Sequence, residues 1–160
     1  FDIIVRRDSA ALNWRFVRQP YWDYKIFKAS RKDRREPAGY IVLREGESRG
    51  LRTGVISDIF TSADDPGILR SMVNFAVSYF AKKDDIAIIR CDLLSKDVER
   101  ALVDSGFMSI LSNTRFMFTN IRDGLYPAYF KDRNNWFIDY ADSDLDLSGA
   151  PVRPANGKYK

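Results

Sequence analysis

The sequence contains no histidine and one cysteine, Cys91, so any chemistry it does proceeds without an imidazole. Without histidine, Ser-His-Asp and Cys-His nucleophiles and His-ligated metal sites are excluded within this chain. Cys91 ends an apolar run, Ile86-Ala87-Ile88-Ile89-Arg90-Cys91, with Arg90 as its basic neighbour. That is the setting of an inert core thiol rather than of a nucleophile. Asp92 follows directly and could take a proton through a water, although a cap or turn role suits it equally well. Tyr126 and Tyr129 could offer a phenolic proton from a late loop, where packing the loop onto the domain is the commoner use. Asp142, Asp144 and Asp146 alternate as in a calcium loop, but Leu147 stands where glycine is required and Arg153 where the distal glutamate belongs. A solvated acidic segment without a metal is the preferred reading. Trp14, Trp22 and Trp136 could stack on a sugar ring, with core packing as the default.

These residues must be held by elements that the hydrophobic pattern outlines. Phe1 to Val5 reads as a short β run, Asp8 as an N-cap, and residues 10–15 as a helix ended by Pro20. Tyr21 to Ala29 and Gly39 to Arg44 form a hairpin around a charged turn, and a further turn over residues 45–53 leads to a third strand, Gly54 to Thr61. Asp64-Asp65-Pro66-Gly67 is a helix-start signal. Ile68, Leu69, Met72, Val73, Ala76, Tyr79 and Phe80 then recur at helical spacing, giving a wide apolar face. The run Ile86 to Cys91 is a short buried strand, so residues 54–92 make one βαβ crossover with parallel pairing. Ser95 caps a second amphipathic helix with Val98, Ala101 and Leu102 inward and Gly106 as its stop. Phe107 to Leu111 and Thr114 to Thr119 read as an antiparallel pair, residues 121–135 as loop, and Trp136 to Tyr140 as a last edge strand.

The length of 160 residues fits one domain with a sizeable core, here residues 1–140, followed by an acidic and then flexible tail, 141–160. Hydrophobic residues make up 45% and charged residues 30%, as in soluble globular proteins. No apolar run approaches the ~18 residues of a membrane span. Phe1-Asp2-Ile3-Ile4-Val5 lacks a basic segment ahead of an apolar one, so no signal peptide is expected, and the start inside an apolar stretch without Met suggests either a trimmed chain or one domain of a longer one. One cysteine allows no intrachain disulfide, and a cytoplasmic setting is expected. The net charge of +4 is uneven, with basic residues crowding the first third. That bias could steer anionic ligands. As a nucleic-acid track the cluster 28–35 is short and diluted by Asp33, so a solvated turn is preferred.

The order of elements, with the segment Ser95 to Gly106-Phe107, resembles the GNAT (N-acetyltransferase-like) superfamily over about residues 1–120. Leu12-Asn13-Trp14-Arg15-Phe16, followed by Pro20 and Tyr24, is further similar to GNAT-like proteins of bacterial surface-polysaccharide loci, some of which carry two such domains in tandem. The resemblance implies an α/β (α+β) fold with a mixed central sheet of about six to seven strands and helices on both faces. It implies acyl-CoA, most simply acetyl-CoA, as cofactor, and an amine or hydroxyl of a small molecule or sugar as acceptor. Two parallel strands would splay beside the crossover helix, with the pantetheine arm on Ile59, Phe60 and Thr61. The pyrophosphate would lie on the loop 62–70, where Gly67, Ile68, Leu69 and Arg70 open the helix.

The sequence also departs from that pattern. Asp64 and Asp65 put negative charge where an anion should bind, and Pro66 removes a backbone donor. Leu102 occupies the place of the usual tyrosine acid. Asp58 is the nearest equivalent of the family's glutamate base, and a structural acceptor role for it stands level with a catalytic one. Two functions are therefore expected to compete: acyl transfer, and a catalytically degenerate recognition domain of a longer protein whose second GNAT-like domain holds an intact loop.

Overall fold

The computed structural model describes residues 3–33, 36–61, 66–110 and 127–142. A two-residue strand, β1 (Ile3–Ile4), precedes helix α1 (Ser9–Leu12), which widens into a π-helical turn over Asn13–Val17. Asp8 is the cap that its type and position promise: its carboxylate accepts from the Ala11 backbone N–H at 2.9 Å. The helix stops at Arg18, ahead of Pro20.

Strands β2 (Lys25–Ser30), β3 (Pro37–Ser48) and β4 (Leu51–Thr61) form an antiparallel meander. The turn expected over residues 45–53 is mostly strand. Arg49 and Gly50 alone reverse the chain, with φ of 53° and 78°. Two successive left-handed residues give the tight hairpin turn whose twist matches its strands. The charged residues on either side hid those extra strand positions from a reading based on hydrophobicity.

Helix α2 (Pro66–Phe80) buries Leu69, Met72, Val73, Ala76 and Phe80, the face set out by the sequence spacing. Strand β5 (Ile88–Cys91) then lies parallel to β4, completing the expected crossover. Helix α3 (Lys96–Asp104) buries Val98, Ala101 and Leu102, and Gly106 at φ 92° follows its end. Ser95 occupies the N-cap position, but its side chain makes no capping bond, and its Oγ is buried without a partner among the described residues.

The sheet is not the single one of six to seven strands that was expected. The main sheet has four, in the order β2-β3-β4-β5. Strands β6 (Leu93–Leu94) and β7 (Trp136–Asp139) join β1 in a second, three-stranded sheet of order β1-β7-β6. Asp92 divides β5 from β6, and the β4–β5 ladder ends at Ile56 and Cys91, so the chain leaves one sheet and enters the other. Strand β7 is the middle strand of its sheet rather than an edge, parallel to β1 and antiparallel to β6. Residues 107–110 are not strand, and the remainder of the expected pair, 111–119, lies outside the described residues. The expected loop 121–135 contains helix α4 (Pro127–Lys131) and a 3-10 turn, Arg133–Asn135. The tail beyond residue 142 lies outside the described residues.

Helices cover both faces of the main sheet. On one face Ile41, Leu43, Ile56 and Ile59 pack against α2 and α3. On the other, Val42 packs with Phe16 and Ala141. A bulge makes this division possible. Val42 pairs with Asp58 but Leu43 pairs with Ile56, so Ser57 is an extra residue in β4. Strict alternation would have put Asp58 beside Ile56 in the α2 core. The bulge instead keeps Ile56 and Ile59 on that side and turns Asp58 to the other.

Candidate functional site

Asp58 enters a buried polar cluster that joins the two sheets. Arg7, three residues beyond β1, places Nε 3.4 Å from Asp58 Oδ1 and Nη2 2.7 Å from Asp142 Oδ2. The same Nη2 lies 3.2 Å from Asp139 Oδ2, without hydrogen-bond alignment. Tyr40 donates its hydroxyl to Asp58 Oδ2 at 2.8 Å. The backbone N–H of Asp139 donates to Asp142 Oδ2, and that of Ala141 to Asp139 Oδ1, both at 3.1 Å. Side-chain exposure is only 6% for Arg7, 3% for Asp58, 2% for Asp139 and 9% for Asp142, so these charges interact at low screening. The guanidinium also lies over the Phe137 ring, 4.6 Å from its centroid, and Phe137 meets Phe60 edge-on at 5.6 Å.

Three carboxyls around one guanidinium cannot all stay ionised cheaply in such a site. Burial, and then the Asp58 charge, push the Asp139 carboxyl well above the usual carboxylate range against the pull of Arg7. This environment favours the protonated form of Asp139. Burial works against the Arg7 charge, but Asp58, Asp139 and Asp142 together outweigh it and hold the guanidinium above its ordinary value. Burial and Asp58 likewise raise the Tyr40 phenol, which stays a donor. Desolvation raises the half-buried Cys91 thiol well above its ordinary value, the opposite of what activates a nucleophile.

The candidate residues separate under this geometry. Both Asp58 oxygens are engaged, one by Arg7 and one by Tyr40. Asp92 is 40% exposed in its side chain and pairs with Arg90 at 3.0 Å, next to the point where β4 and β5 part. Ile59 faces the α2 core, Phe60 packs against Phe137 and Tyr40, and the Thr61 hydroxyl donates to the Ala38 carbonyl at 2.9 Å. In the first turn of α2, Gly67 and Arg70 are exposed, Ile68 is half-buried and Leu69 is buried. Tyr126, Asp64 and Asp65 lie outside the described residues. Among the described residues, no group of three acidic or cysteine side chains has the geometry of a metal site.

Sequence reasoning missed the roles of Arg7, Tyr40 and Asp139. Arg7 stands beside Arg6, which pairs with exposed Asp8, and nothing local distinguishes the two arginines. Tyr40 could have been found from the β3–β4 register, but only with the two-residue turn and the bulge already in place.

Two solved structures resemble this fold. A probable acetyltransferase, 11% identical, aligns over 61% of this chain and 70% of its own with a TM-score of 0.48. A mutant of TTHA1254 from Thermus thermophilus, 19% identical, aligns over 72% of this chain and 85% of its own with a TM-score of 0.50. No protein-family model and no curated protein matches the sequence. At such identity the similarity is one of fold alone: the chain has a mixed α+β fold shared with TTHA1254 over most of both chains.

Proposed function

We propose that this domain is a divergent GNAT-like acyltransferase that moves an acyl group, most simply acetyl, from CoA to an amine or hydroxyl of a small molecule or sugar. The observation that carries the reading is the parting of two parallel strands. Strands β4 and β5 pair only from Thr53 to Ile56 and from Ile88 to Cys91, while β4 continues to Thr61, shortly before α2 begins. Among the described residues, the far half of β4 has no strand partner on the β5 side. Backbone donors facing such a gap can hold a pantetheine arm and a thioester oxyanion. Arg70, exposed in the first turn of α2, adds a cation where a diphosphate would lie.

The acceptor nitrogen or oxygen attacks the thioester carbonyl carbon, the C–S bond breaks, and the CoA thiolate leaves and takes up a proton. Asp92, at the mouth of the gap, is the better placed base, acting through a water on the acceptor's proton. Asp58 is already committed to Arg7 and Tyr40, which gives it a structural role.

That commitment favours a second reading, a recognition module of the same fold whose chemistry resides in another GNAT-like domain of a longer protein. Titration with acetyl-CoA separates binding from turnover. Ligand at about 100 times its Kd stabilises by about 2.7 kcal/mol, which a melting curve resolves. The expected result is a saturable rise in Tm together with slow CoA release that Asp92→Asn abolishes. A rise in Tm without CoA release supports the module, and no rise at about 1 mM acetyl-CoA sinks CoA binding altogether.

A further inference from the structure

The outer side of the first helix carries large apolar side chains that the fold leaves in solvent. Leu12 and Phe16 pack inward with Val42 and Tyr40, so Ala10, Asn13, Trp14 and Val17 lie on the solvent side of α1 and its π turn. Trp14 is 69% exposed, Val17 60% and Tyr21, just past the helix end, 67%. A single exposed apolar residue is ordinary, but three such side chains within eight residues make an interaction surface. Their exposure is built into the fold. The Arg18 backbone N–H closes the π turn on the Asn13 carbonyl at 2.9 Å. Gln19 Oε1 accepts from the backbone N–H groups of Tyr21 and Trp22, both at 2.8 Å, and its amide donates to the Trp22 carbonyl. Trp22 is thereby buried while its neighbour Tyr21 stays out.

Cations accompany this apolar surface. Arg18 is exposed next to Val17. On β2, Ile26 pairs with Val42 and Lys28 with Tyr40, so both project from the sheet face that α1 covers, and both are exposed. Asp8 pairs with Arg6 and Asp23 with Lys25, so Arg18 and Lys28 set the local sign. Residues 1–35 hold ten lysines and arginines against four aspartates, more positive charge than the +4 of the whole chain.

We propose that this face docks on an anionic lipid surface, with Trp14, Val17 and Tyr21 at the level of the headgroups and Arg18 and Lys28 on the lipid phosphates. Trp and Tyr rings favour the boundary between hydrocarbon and water, and long basic side chains bury their stems while the charge stays among the headgroups. Nucleic acid would stack on the rings but gains nothing from Val17 and Ile26. A second copy would set the same cations against each other across a two-fold axis. No described helix is long and apolar enough to cross a membrane, so the contact lies on the surface. The proposal does not depend on acyl transfer, because it uses no residue of β4, β5 or α2.

The test is flotation of the intact chain with phosphatidylcholine vesicles containing about 30% phosphatidylglycerol, against pure phosphatidylcholine, at about 0.05 and 0.5 M NaCl. Binding to the anionic vesicles is expected, weaker at high salt and much weaker on phosphatidylcholine. Each cation near such a surface is worth about fivefold in partitioning, so Arg18→Gln weakens binding roughly fivefold. Trp14→Ser weakens it roughly tenfold or more by removing the largest inserted side chain. Both positions are exposed, and an unchanged Tm shows that the variants fold. Val103→Ser, at an exposed apolar position on α3, is the control that leaves binding intact. Equal binding to the two kinds of vesicle, binding to neither, or a Trp14→Ser variant that binds like the parent overturns the proposal. Self-association that Trp14→Ser abolishes, without vesicle binding, overturns it as well and gives the face to a second copy.

Discussion

Replacing Arg7 by Met removes the cation that lies among three buried carboxyls and keeps much of the side-chain volume. The contacts at 2.7, 3.2 and 3.4 Å to Asp142, Asp139 and Asp58 are then lost together. Breaking a buried ion pair by deleting one partner costs about 3–5 kcal/mol, because the remaining charge stays desolvated. That is a fifth or more of the stability of an ordinary domain, about 5–15 kcal/mol. At about 2–4 °C per kcal/mol for a chain of this size, Tm should fall by about 10 °C. The loss should also depend on pH. Without Arg7 nothing offsets the burial that already holds the Asp139 carboxyl above its ordinary range, so the folded variant binds more protons than the unfolded chain. Its stability therefore falls as pH rises above the ordinary carboxylate range, and the gap from the parent widens between about pH 5 and pH 8. Calorimetric melting at several pH values measures both effects. Arg6→Met is the control, since the Arg6 side chain is 80% exposed and pairs with Asp8 at the surface. An equal effect of the two substitutions, or an Arg7→Met penalty independent of pH, would refute the account of the cluster.

Two other substitutions test neighbouring parts of the structure. Asp139 has its folded-state pKa raised, chiefly by burial, so its contribution is complete below the ordinary carboxylate range and is lost as pH rises toward the raised value. Asp139→Asn should flatten that decline in a series of melts and leave the protein at least as stable at neutral pH; a steeper decline would count against a protonated Asp139. In β4, the ring of Phe80 covers Gly54 so closely that an added Cβ would stand 2.7 Å from it. Gly54→Ala should lower the urea midpoint by an amount equivalent to about 1–3 kcal/mol, and an unchanged midpoint would show that α2 can shift its end freely.

Local chemistry made several elements legible. Asp8 caps α1 because an aspartate before a helical run has a donor within reach. The faces of α2 and α3 follow from spacing alone, since apolar residues three and four apart must share one side. The same reasoning separated β4, α2 and β5 and placed Asp92 at a strand end. Local pattern also put Asp58 and Ile59 on opposite faces. It left undecided what Asp58 does there, because its partners are 51 residues away at Arg7 and 18 away at Tyr40.

The sequence by itself thus determined the order of elements from β1 to β5, the crossover, and the residues of the α2 and α3 core. Only the tertiary structure decided that the strands divide into two sheets, that β7 is central in one of them, and that a bulge at Ser57 turns Asp58 toward Arg7. It also put Ile26 and Lys28 on the face that α1 covers, through a β2–β3 register that neither strand encodes alone. The physical reason is common to all of these. Periodicity and capping depend on neighbours along the chain, whereas register, bulges and buried charge pairing depend on which distant segments compete for the same backbone donors and the same low-dielectric space.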